Sequence, residues 1–72
     1  MDITVGEKIR TLMARRKISI TELAQKSGQS RQNLSNKLHR NNFSEQEIAR
    51  LCEVLDCRFD IVFTMNDTGE KL

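Results

Sequence analysis

A chain of 72 residues has material for one small core, so it reads as a single domain that gains from any partner adding burial. Its apolar residues are mostly aliphatic, with no Trp, Tyr or Pro, and no stretch is long or apolar enough to span a bilayer. The net charge of +2 is unevenly spread: residues 1–42 carry nine Lys/Arg against three Asp/Glu, residues 43–72 three against seven. The front is thus +6 and the back −4, which points to an anionic partner for the front.

The start, Met1-Asp2-Ile3-Thr4, lacks the basic-then-apolar pattern of a secretory signal, so a cytoplasmic protein is expected. A first helix is predicted from Thr4. Thr4 and Glu7 have capping-box spacing, in which each side chain accepts from the other residue's backbone N–H. Val5, Ile9, Leu12 and Met13 then fall on one helical face. Arg15, Arg16 and Lys17 close the helix, where cations suit the negative end of its dipole.

A second helix begins at Ser19, with Glu22 completing a second box. Ile18 and Leu23 are spaced as a hydrophobic staple. Leu23 and Ala24 supply its inner face, and Gly28 suits the left-handed residue just past its end. A third helix, Ser30 to His39, follows after the short link Ser27-Gly28-Gln29, which forces the two helices to cross steeply. Leu34 and Leu38 anchor it. A fourth begins at Ser44 with Glu47 as box partner, Phe43 and Ile48 as staple, and an inner stripe of Ile48, Leu51, Cys52 and Leu55.

After Cys57 the apolar period changes from 3.6 to 2. Phe59, Ile61, Phe63 and Met65 alternate with Arg58, Asp60, Val62 and Thr64, which predicts a C-terminal β-strand. Asn66-Asp67-Thr68-Gly69 reads as a turn. Only Glu70-Lys71-Leu72 return from it, too few for a stable hairpin alone. A lone strand leaves its backbone groups unpaired. Pairing of residues 59–65 with the same segment of a second copy would satisfy them and make a homodimer; a tail folded on its own helices is the alternative.

The outward face of the third helix carries the chemistry. With Leu34 and Leu38 inside, Gln32 and Asn36 lie nearly opposite, and Asn33, Ser35, His39 and Arg40 lie beside them. Arg31, in the first turn, is long enough to reach forward. No carboxylate occurs between Glu22 and Glu45. Arg matches guanine, and Gln and Asn match adenine, in the major groove, whereas an inert solvated face more usually mixes Glu with Lys.

Enzyme chemistry finds no foothold. His39 is the single histidine, with no acid–base partner pattern, and there is no phosphate loop, nucleophile motif, metal cluster or cofactor signature. Cys52 and Cys57 form neither a disulfide framework nor a metal motif and read as small buried or half-buried thiols.

The stretch from Ile18 to Leu34, above all Glu22-Leu23-Ala24-Gln25-Lys26 followed by Gly28, resembles the helix-turn-helix of phage lambda repressor and Cro-type (XRE-like) transcriptional regulators. The likeness covers about residues 4–57. It implies an all-α, compact four-helix bundle of the lambda repressor-like type, here with one C-terminal β-strand added. It also implies a dimer on a palindromic double-stranded DNA operator. By position, Ser30, Arg31, Gln32 and Asn36 would face bases. Ser19, Thr21, Asn33, Lys37, Arg40 and Asn41 would face phosphates. Residues 1–57 would then bind DNA, and residues 58–72 would dimerise through Phe59, Ile61, Phe63 and Met65. The chain departs from many relatives at Ile20, where they carry a Gln that touches phosphate, and at Lys37, where they are often apolar. Rival readings within the same fold are a protein-interaction module and an antitoxin-like accessory regulator.

Overall fold

The computed structural model describes residues 3–72; Met1 and Asp2, the start of the stretch read for signal character, lie outside them. The chain forms four helices: α1 (Val5–Arg16), α2 (Ile20–Lys26), α3 (Arg31–Arg40) and α4 (Glu45–Val54). Each starts on the hydroxyl anticipated for it. Thr4, Ser19, Ser30 and Ser44 accept from the backbone N–H of Glu7, Glu22, Asn33 and Glu47, each at 3.1 Å. Such a bond satisfies one of the four donors that a helix start leaves open.

The return half of each capping box takes a different partner from the one expected. Glu7 Oε1 accepts from the Thr4 hydroxyl at 3.3 Å. Glu22 pairs with Lys26 at 3.2 Å, and Glu47 with Lys37 at 2.7 Å. For Glu22 and Glu47 an ammonium within reach adds an opposite formal charge, which a neutral backbone N–H lacks.

The helix ends are alike. At each, a residue two or three past the last helical one donates back five positions: Ile18 to Met13, Gln29 to Ala24, Asn42 to Lys37 and Cys57 to Cys52. The left-handed residue this closure requires is Lys17, Gly28, Asn41 or Asp56. Only Gly28 adopts it without the steric cost of a Cβ.

Ile9, Leu23, Ala24, Leu34, Leu38, Leu51 and Leu55 form the core, flanked by half-buried Val5, Leu12, Met13, Ile18, Ile20, Phe43, Val54 and Cys57. The helical stripes supply nearly all of it. Two tertiary links complete the bundle. Gly6 lets α1 run against α3 so closely that an added Cβ would lie 2.9 Å from the Leu38 carbonyl oxygen, and its N–H donates to Asn41 Oδ1 at 2.8 Å. Arg16 donates to the Leu55 and Asp56 carbonyls, each at 2.9 Å. Its sequence reading as a dipole-compensating end thus becomes a clamp between α1 and the end of α4.

The expected C-terminal strand is absent from the described residues. Phe63 and Leu72 exchange backbone hydrogen bonds of 3.2 and 2.8 Å around a single antiparallel bridge, Thr64 to Lys71. Met65 N–H donates to Glu70 at 2.8 Å, and Gly69, at φ 76°, closes the turn by donating to Met65. The three returning residues therefore do make a minimal hairpin. Among the described residues no backbone bond ties residues 59–62 to another segment, so the period-2 pattern has no ladder to join. Of its apolar face, Phe59 is half-buried beside Val5, Ile9 and Leu12. Ile61, Phe63 and Met65 are 49, 69 and 44% exposed. The radius of gyration, 13.7 Å, exceeds the roughly 11 Å of a compact domain this long because the hairpin stands off the bundle.

Candidate nucleic-acid interface

Two contacts fix how α3 presents its outer face. Leu34, 0% exposed, and Leu38, 5%, seat it against α1 and α2. Ser30 and Asn41 bound it, with Asn41 tied back to Gly6. Arg31, Gln32, Asn36, His39 and Arg40 are all exposed and stand on this one helix with no carboxylate among them. The separation of faces thus follows from two leucines four residues apart.

The residues assigned to phosphate are more scattered in role. Ser19 caps α2 and Thr21 is exposed in its first turn. Arg40 is exposed at the end of α3, while Asn41 has its oxygen committed to Gly6 and its amide nitrogen free of that bond. Lys37 is half-buried and bound to Glu47 of α4. That hydrogen bond holds the Glu47 carboxyl below the ordinary glutamate range, against the opposing push of desolvation. The absence of acid along α3 is therefore a property of the sequence that the fold offsets on one flank.

Gln29 escaped the sequence reading. It accepts from Asn33 Nδ2 and donates to the buried Ser27 hydroxyl, both at 3.1 Å. Its spacing of four from Asn33, suited to a side-chain amide pair, was the available signal. Together with Ser27, Lys37, Glu47 and Arg50, Gln29 and Asn33 line a polar cleft between α3 and α4.

The thiols are where expected: Cys52 is buried and Cys57 half-buried. Burial first, and then the neighbouring Cys57 thiol, push Cys52 up to about 11. Among the described residues no three metal-ligating side chains converge, and no helix is long and apolar enough to cross a membrane.

A short helix, a glycine turn and a second helix with a polar outer face is the arrangement that family comparison can test. A model of the Cro/C1-type helix-turn-helix DNA-binding domain matches residues 8–67. The chain belongs to that family. The match takes in all of α2, the turn and α3. No curated protein and no solved structure gives a match.

Proposed function

We propose that this Cro/C1-type chain is a sequence-specific transcriptional regulator, acting as a repressor, that places α3 in the major groove as a homodimer on a palindromic operator. The observation that carries this reading is the carboxylate-free outer face of a firmly seated helix, with Arg31, Gln32 and Asn36 exposed on it. Arg31 would take guanine, and Gln32 and Asn36 adenine, with Ser30 at the groove entrance. Ser19, Thr21, Asn33, Lys37, Arg40 and Asn41 would fix the register on phosphates, helped by open N–H groups at the starts of α2 and α3.

Residues 1–57 are the DNA-binding unit in this proposal, and residues 58–72 the dimerisation element. Support for the second comes from the exposure of Ile61, Phe63 and Met65 and from the unpaired backbone of residues 59–62. Phe59 would extend that surface into the bundle. Two copies would set their α3 helices about 34 Å apart, one turn of B-DNA. The same exposed apolar tail favours the alternative of a protein ligand, as in an accessory or antitoxin-like regulator.

Selection from random duplexes tests the reading. An enriched, two-fold symmetric motif is expected, with affinity falling steeply as salt rises. Arg31→Ala is expected to weaken binding by about 1–3 kcal/mol and relax one base preference. Recovery of no motif would refute it.

A further inference from the structure

A chain of side-chain hydrogen bonds runs from the core to the edge of the reading face, and its polarity is fixed at one end. The Ala24 carbonyl can only accept. The Ser27 hydroxyl donates its one proton there at 3.2 Å. Ser27 Oγ is left as an acceptor, so Gln29 must turn its amide nitrogen toward it, which it does at 3.1 Å. Gln29 Oε1 then faces outward and accepts from Asn33 Nδ2 at 3.1 Å. At each link the donor and acceptor follow from the one before. Ser27 is 2% exposed, so reversing the chain would set a buried oxygen against an oxygen.

The end of the chain matters for recognition. One Asn33 N–H is consumed by Gln29, which leaves Asn33 Oδ1 and one N–H unspent. Asn33 is exposed and follows the outer face of α3 beside Asn36, one turn on. Phosphate offers acceptors only, and an outward amide oxygen gains nothing from it. A base edge with an adjacent donor and acceptor, as adenine presents in the major groove, matches both unspent groups.

We infer that Gln29 is a positioning residue that locks the Asn33 amide, so that Asn33 reads a base instead of holding a phosphate. This rests on the proposal that α3 lies in the major groove, and it moves Asn33 from the phosphate set to the base-reading set. Without Gln29 the Asn33 amide turns freely and presents either end.

The test is a panel of duplexes in which each base pair of the motif selected by the wild-type protein is permuted. Affinities are measured for wild type, Asn33→Ala, Gln29→Ala and Gln29→Glu, with the thermal midpoint of each. Asn33→Ala and Gln29→Ala are expected to lose about tenfold discrimination at the same single base pair of each half-site and to keep the rest. Affinity of Gln29→Ala for random DNA and its thermal midpoint are expected to stay near wild type. Gln29→Glu keeps an acceptor for Asn33 but has no N–H for Ser27 Oγ, so it is expected to lose the preference as well, with lower overall affinity and a lower thermal midpoint. If Gln29→Ala keeps full discrimination at that pair, or loses it equally at all pairs, the positioning role is overturned. If wild type selects no motif at all, the major-groove reading fails first and this inference falls with it.

Discussion

The bundle, residues 4–57, and the tail, residues 58–72, carry equally legible apolar patterns yet reach different ends. In the bundle, caps and stripes agree, and each helix pairs its interior backbone within its own length. The tail repeats with period 2 through Phe59, Ile61, Phe63 and Met65, but a strand is completed only by a neighbour. With one bridge between Thr64 and Lys71, most of that pattern has nothing to pair with, and its apolar side chains stay exposed. A periodicity of 3.6 is therefore a statement about one segment, whereas a periodicity of 2 is a statement about two.

The contrast breaks most visibly under truncation. Leu34→Ala or Leu51→Ala removes a fully buried side chain and is expected to cost about 2–5 kcal/mol, measurable by urea unfolding. Phe63→Ala, at 69% exposure, is expected to change the stability of the monomer by no more than about 0.5 kcal/mol. A comparable loss from Phe63→Ala at low protein concentration would mean that the tail belongs to the core. Next in size, Gly6→Ala forces a Cβ against the Leu38 carbonyl, a backbone atom that cannot swing away. About 1–3 kcal/mol of destabilisation is expected, read from the denaturation midpoint. Ser44→Ala, which deletes the cap of α4, is expected to cost about 1 kcal/mol in the same assay.

Much of this was legible in the sequence because it is local. The four starts at Thr4, Ser19, Ser30 and Ser44, the left-handed Gly28 and the anchors Leu34 and Leu38 all follow from neighbours within five residues. What escaped is what joins distant residues. Gly6 against Leu38, Arg16 on Leu55 and Asp56, and Lys37 on Glu47 depend on how the helices cross, and no single-helix pattern records that. Of the capping boxes' return halves only that of Glu47 failed for the same reason, its partner Lys37 lying on another helix, whereas Glu22 was taken by Lys26 four residues on, a local competitor. On the candidate interface the residue types were readable, while Gln29 was missed because its partner Ser27 is buried by packing.

The smallest effects concern the Lys37–Glu47 pair. Its contribution is complete above the ordinary glutamate value of 4.5 and is lost as pH falls through the lowered value, so the Glu47 carbon resonance is expected to titrate below that ordinary value. Glu47→Gln frees Lys37; a modest gain in DNA affinity and a salt slope steeper by about one are expected if Lys37 then meets a phosphate. An unchanged slope would leave Lys37 outside the interface.

The central claim is that the outer face of α3 reads bases, and competition between a selected duplex and a scrambled duplex of equal length and composition tests it most directly. At near-physiological salt the account predicts a preference of at least about a thousandfold for the selected duplex, reduced by Arg31→Ala. Equal affinity for both duplexes, with full salt sensitivity retained, would contradict it and leave the protein a general binder of DNA backbone.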